Sequence, residues 1–248
     1  VCSPGRRDEP RRYWRLARHP EVKGSDEELA RELKRLLTRA VERRMVADVP
    51  LGAFLSGGID SSTVVALMAG LSTRPVKTFS IGFEHADYTE VEYARMVAER
   101  YRTDHRELVV TADMATVVHD IVRHHGEPFA DSSAVATYYL AKMTREHVTV
   151  SLSGDGGDEN LAGYRRYNTA RIGHAYDRVP DALKGAFQKG LALGAGVLYP
   201  WVGRFARHLH EGEAARYLLL VGQFSAEDKA ALYGPALRPV ASDRMRRR

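Results

Sequence analysis

Apolar residues recur at helical spacing through Leu29, Leu33, Leu36, Leu37, Ala40 and Val41, so an amphipathic helix is expected from Ser25 to about Arg44. Ser25 and Glu28 stand at the spacing of a capping box, which marks its start. From Asp48 to about Leu152 short apolar runs alternate with helical patterns. Strands are expected at Val49–Leu55, Val76–Phe83, around Leu108–Val110 and at Val148–Leu152. Between them lie helical segments at Ser61–Ala69, around Val91–Tyr101, around Met114–Val122 and at Ser133–Glu146. Such alternation predicts an α/β fold, a doubly wound and mostly parallel sheet with helices on both faces. Ligands of these sheets sit at the carboxyl ends of the strands, which singles out the loops after Leu55, Ile81 and Leu152.

Beyond Tyr167 the pattern is mostly helical, punctuated at Pro180, Pro200, Pro235 and Pro239. The expected organisation is a linker remnant at 1–24, a core at 25–167, a helical extension of the same domain at 168–240 and a basic tail at 241–248. A hydrophobic content of 44% over 248 residues, with one cysteine, excludes a disordered chain and a disulfide scaffold. No uncharged apolar stretch reaches the ~18 residues that span a bilayer. The nearest, Gly190–Gly203, is shorter and is broken by glycines and Pro200. The balance of 37 basic against 32 acidic residues gives +5, which favours anionic ligands. Because the basic residues are scattered, nucleic acid is disfavoured as a partner. The single Cys2 and the lack of a signal-peptide pattern point to the reducing cytoplasm.

The strongest local signal is Ser56-Gly57-Gly58-Ile59-Asp60-Ser61-Ser62, set between an expected strand and an expected helix. Glycines let backbone amides approach an anion, and a helix start adds partial positive charge. Three serine hydroxyls add donors. Asp60 is repulsive beside phosphates unless a divalent cation lies between them. The plain alternative is a generic strand–turn–helix with Asp60 and Ser61 as ordinary caps. The common nucleotide loop is excluded, since the chain contains no Gly-Lys dipeptide. A second cluster, Ser153-Gly154-Asp155-Gly156-Gly157-Asp158-Glu159, follows Leu152 and leads into Gly163-Tyr164-Arg165-Arg166-Tyr167. Its carboxylates and glycines suit a metal–phosphate site, or else a merely solvated acidic loop.

The first loop resembles the pyrophosphate loop of the N-type ATP pyrophosphatases, whose fold is that of the adenine nucleotide alpha hydrolases. The two clusters together, with Val76–Phe83 between them, resemble the synthetase domain of the glutamine-hydrolysing asparagine synthetases. The likeness runs from about Tyr13 to Tyr167 and includes Asp48-Val49-Pro50-Leu51-Gly52 and Gly126-Glu127-Pro128-Phe129. It implies that ATP activates the side-chain carboxylate of aspartate as an acyl-adenylate, releasing pyrophosphate, and that ammonia from a glutaminase domain completes the amide. Ser56, Gly57, Gly58, Asp60, Ser61 and Ser62 match the phosphate loop. Leu55, Ile81, Ser153 and Gly154 match positions contacting the nucleotide. Asp60 and Asp158 match magnesium ligands, and Asp155 matches an acidic residue important for acyl-adenylate formation.

Several residues depart from the pattern. Cys2 stands in no glutaminase motif, and the family's later lysine-bearing segment has no counterpart after Tyr167. Asn160 replaces an apolar residue and Ala162 a glycine. The resemblance therefore implies Mg-ATP binding without glutamine hydrolysis, and little synthetase turnover by this chain alone. The expected partners are small molecules and a glutaminase domain ahead of this region, with a homodimer left open. Rival readings are a β-lactam synthetase or lasso-peptide cyclase, a tRNA-modifying pyrophosphatase, and an inactive nucleotide-binding fragment. His119, His124 and His125 lack a metal-binding pattern, Tyr138 and Tyr139 read as half-buried, and Glu127 and Asp131 are candidates for the amino-acid pocket.

Overall fold

The computed structural model describes residues 11–15, 21–83, 91–110, 114–127, 129, 131–198, 205–206, 208–222, 224 and 226–235. Cys2, the tail at 241–248 and most of the expected linker lie outside them. Contacts divide the chain into two compact units, Val1–Asp155 and Gly156–Arg248. The division falls ahead of the boundary expected after Tyr167, because the helices that follow the last strand pack among themselves.

The first unit opens with α1 (Asp26–Arg44), whose start is the expected capping box: Ser25 accepts from the Glu28 amide, and Glu28 reaches back to the Ser25 amide. Then come β1 (Leu51–Phe54), α2 (Ile59–Leu71), β2 (Lys77–Phe83), α3 (Val91–Tyr101), β3 (Asp104–Val110), α4 (Met114–His125), α5 (Ser133–Arg145) and β4 (Val150–Leu152). The four strands are parallel in the order β3-β2-β1-β4. The chain thus winds outward from β1 to β3, then crosses back to the other side of β1. That reversal makes the gap between the ends of β1 and β4 the switch point of the sheet.

Alternation along β1 turns Ala53 one way, and beyond its end the buried Leu55 joins it in a core with Val41, Val65, Met68, Ala94, Ala98 and Leu152. Fully burying side chains such as Leu55 and Met68 stabilises the fold by ~1.5–3 kcal/mol each. A second cluster of Val117, Ile121, Ala134 and Val135 joins α4 to α5, with Tyr138 and Tyr139 partly buried against it. α5 packs on β2 and β3, so helices cover both faces of the sheet as expected.

The element bounds differ from expectation for local reasons. β1 starts at Leu51 rather than Val49, since Pro50 has no N–H to give the ladder and serves instead as acceptor for the Thr149 amide. β3 starts at Asp104, well before Leu108: His105, Arg106 and Glu107 are polar residues of an edge strand and carry no apolar signal. β2 starts one residue late, at Lys77, and ends at Phe83 as expected; the segment 84–90 that follows lies outside the described residues.

The second unit comprises α6 (Gly157–Leu161), α7 (Arg165–Asp177), α8 (Asp181–Leu198), α9 (Glu213–Val221) and α10 (Ala226–Leu232). Its core gathers Tyr176, Phe205, Ala206 and Leu209. Arg216, buried to 5% exposure, makes a two-pronged ion pair with Asp177 and donates to the Leu209 carbonyl. That pair ties α9 to α7. Among the described residues no helix is long and apolar enough to cross a membrane.

Candidate functional site

Leu55 directly follows β1, with its side chain in the core. Its amide donates to the Phe79 carbonyl, and its own carbonyl accepts from the buried Ser80 hydroxyl. Only its main chain could therefore face a ligand. The chain then turns through Ser56, Gly57 and Gly58 into α2. Gly57 has φ +84, and a Cβ there would lie 2.5 Å from the Tyr93 Cβ and 2.6 Å from the Ala94 nitrogen. Two constraints thus demand glycine: a left-handed backbone and the close approach of α3. The sequence reading credited this residue only with admitting phosphates.

Gly58 is the N-cap of α2, with no side-chain cap. Neither Asp60 nor Ser61 plays the capping role that the plain alternative gave them. Ser61 is buried and turned back: its hydroxyl donates to the Gly58 carbonyl at 3.2 Å and accepts from the Ser56 amide at 3.2 Å. The Ser56 hydroxyl pairs with it at 3.0 Å and accepts from the Gly58 amide at 3.2 Å. These two serines hold the loop's shape rather than offering free donors. The Ser62 hydroxyl is buried and has no hydrogen-bond partner among the described residues. Asp60 occupies the second helical position, and no hydrogen bond or ion pair engages its carboxylate among the described residues. What the loop presents is a helix start without a side-chain cap, whose Ile59, Asp60 and Ser61 amides and Asp60 carboxylate make no hydrogen bond among the described residues.

β4 delivers the second loop to the same end of the sheet. A Cβ on Gly154 would fall 2.6 Å from the Ser61 nitrogen and 2.9 Å from the Asp60 carbonyl carbon. The main chain at Gly154 therefore lies directly against the first turn of α2, and any side chain would drive the loops apart. Ser153 donates to the Asp155 carboxylate at 2.9 Å, leaving Asp155 exposed. Ile81 is half-buried within β2, paired with Leu108.

Asp158 belongs to the second unit, where it repeats the arrangement of Asp60. Gly156, at φ +89, caps α6 without a side-chain bond, and Asp158 takes the second helical position. The Asp158 carboxylate leans over Gly163, where a Cβ would lie 2.0 Å from its Oδ1. This short helix was read from sequence as a loop. It ends at Ala162 in the left-handed region, φ 55, which accounts for the glycine expected there and strains alanine by ~1–2 kcal/mol. Asn160, at the other unexpected position, ties its amide back to the Gly156 carbonyl at 2.6 Å. Downstream, the Tyr164 hydroxyl donates to Glu159 at 2.7 Å and holds its carboxyl below the ordinary range. The Arg166 guanidinium lies 3.6 Å over the Tyr164 ring.

Elsewhere the sequence candidates do less. Asp131 accepts from the Ser133 amide at the start of α5, which holds its carboxyl low. His125 stacks on Phe129, and Tyr138 donates to Asp120. No group of three or more histidine, cysteine or acidic side chains among the described residues could hold a metal. Ser80, Tyr93 and Ala94 shape the phosphate-loop candidate and were missed, since their roles depend on packing between elements distant in sequence.

An all-parallel sheet with helices on both faces, and a helix start without a side-chain cap at its switch point, defines a doubly wound α/β protein, the class whose ligands sit at such switch points. Residues 32–243 match the asparagine synthase family, and the chain belongs to that family. Asparagine synthetase [glutamine-hydrolyzing] 1 of Bacillus subtilis is 35% identical over 164 residues, covering 66% of this chain and 26% of that protein. A Mycobacterium tuberculosis protein provisionally given the same enzyme name is 33% identical over 228 residues, covering 91% of this chain and 32% of its own. Amidase chyE of Penicillium rubens is 30% identical over 219 residues, covering 79% and 32% respectively. The chain thus spans about a third or less of the length of these relatives.

Proposed function

We propose that this chain carries the ATP-dependent half of an amide-forming synthetase. A carboxylate oxygen of aspartate attacks the α-phosphorus of ATP, and the bond to the β,γ-phosphates breaks to release pyrophosphate. Ammonia then attacks the acyl carbon of the adenylate, loses a proton, and displaces AMP. In the parent protein a glutaminase domain would supply the ammonia, as the names of the relatives suggest. The observation that carries this reading is the contact of Gly154 with the first turn of α2. It supports one site built from both loops, with open amides beside the free Asp60 carboxylate.

The residues fit magnesium arriving with phosphates. Such an ion usually takes one or two carboxylates and fills its remaining positions with phosphate oxygens and water. Asp60 would be the ligand from the first loop, with Asp158 proposed as a second on the resemblance. Magnesium would supply charge neutralisation on the polyphosphate. The chain's own part is to bind the phosphates through the amides of α2 and to orient the reacting groups. Asp155 would act beside the reacting carboxylate.

Gly58 provides the cleanest probe, because a Cβ there meets only the Ser56 hydroxyl, at 3.3 Å. Calorimetry should show Mg-ATP binding to the chain, and Gly58→Val should abolish it in a protein that still folds, with only the small loss of stability that a poorer N-cap brings. Unaltered affinity in that variant overturns the assignment. A second reading keeps the chemistry but changes the carboxylate, and the relative named amidase chyE supports it. Pyrophosphate release by the parent protein that responds to other carboxylates and not to aspartate would select that reading.

A further inference from the structure

α3 is held firmly in the first unit. Ala94 and Ala98 are buried in the core, and Arg95 grips the Glu107 carboxylate of β3 through contacts of 2.7 to 3.1 Å. Tyr93, next to the buried Ala94 in sequence, has its Cβ against the would-be side-chain position of Gly57. Its side chain nonetheless stands 63% exposed, and its hydroxyl makes no hydrogen bond among the described residues. An aromatic side chain whose O–H has no partner among the described residues is thus mounted on a rigid helix beside the loop that leads into the uncapped start of α2. A polyphosphate bound at the start of α2 would lie beside this side chain, offering acceptors to its O–H.

We propose that Tyr93 is a nucleotide-contact residue that donates its hydroxyl to the polyphosphate in the Ser56–Ser62 loop. The inference rests on the reading of that loop as the ATP site, and it adds a contact that neither loop motif contains. The contact is made to phosphates and not to the base, so it serves ATP and inorganic pyrophosphate alike. Because the side chain is exposed, replacing it leaves the core untouched.

The test is calorimetry of the chain with Mg-ATP and with Mg-pyrophosphate, using Tyr93→Phe and Tyr93→Ala. A hydrogen bond to a charged acceptor predicts that Tyr93→Phe weakens both ligands about ten-fold, with Tyr93→Ala at least as weak and melting temperatures unchanged. Tyr93→Phe affinities within two-fold of the unsubstituted chain overturn the proposal while leaving the loop assignment intact. A loss confined to Mg-ATP also overturns it, since the contact would then involve the nucleoside. Failure of the unsubstituted chain to bind either ligand overturns both the proposal and the loop assignment beneath it.

Discussion

The amino termini of α1 and α2 face the same physical problem and solve it in opposite ways. Each exposes the unpaired amides and partial positive charge of a helix start, and each carries acid in its first turn. In α1 the chain closes its own end: Ser25 and Glu28 exchange hydrogen bonds, and the neighbouring amide and hydroxyl hold the Glu28 carboxyl below its ordinary range. In α2 the side chains that might cap are withheld. Ser56 and Ser61 bond to each other and to the loop, Gly58 has no side chain to offer, and Asp60 has no partner among the described residues. A capped terminus stabilises a helix, whereas an uncapped one at the switch point of a sheet is a place for a ligand. The difference lies in a few side chains, not in the helix.

The comparison can be broken most forcefully at Gly57. A valine there would have to adopt φ +84 and enter the space held by Tyr93 and Ala94. The left-handed backbone and the overpacking together predict a loss of ~2–5 kcal/mol, read by urea unfolding. Nucleotide binding should vanish with the fold, so this variant reports on architecture and not on phosphate approach. A folded Gly57→Val with full stability would contradict the close packing of α3 on the loop.

A smaller effect is expected at the closed terminus. Ser25→Ala removes the cap of α1 and should cost about 1 kcal/mol, with Mg-ATP affinity unchanged. Any change in affinity would show that the two termini are coupled. The smallest effect is its pH dependence. The folded Glu28 carboxyl is depressed below its usual 4.5, so its contribution is present above that pH and lost as pH falls through the lower folded value. Ser25→Ala retains the residue-25 amide, the larger cause of that depression, so it is Glu28→Gln, compared with the unsubstituted chain, that should lack this part of the acid-unfolding slope. An identical slope in both proteins would remove the capping box from the account.

The capping box of α1 was legible because all its parts lie within four residues, and the strand–helix alternation was legible because periodicity is local. Both glycine-rich loops could be read for the same reason. The start of β3 was hidden because His105 and Glu107 face a polar network with Thr78 and Arg95, and the strand lacks an apolar face there. Helix α6 was hidden among glycines that weaken helix propensity. The roles of Gly57 and Ser61 depended on where α3 and Gly58 come to lie, which no spacing rule contains. Ala162 shows the converse: its left-handed φ explains a glycine that the family pattern had already led us to expect.

Everything about the open terminus converges on Asp60, a carboxylate without a partner among the described residues, at the edge of the proposed phosphate site. The decisive measurement is a calorimetric titration of Mg-ATP into the chain and its Asp60→Asn variant, repeated across magnesium concentrations. Asparagine keeps the size of the side chain and its place in the first turn of α2, so the fold should melt as before. The account predicts that the unsubstituted chain binds Mg-ATP and that Asp60→Asn loses magnesium-dependent affinity by roughly 100-fold. Identical magnesium dependence in the two proteins would contradict it.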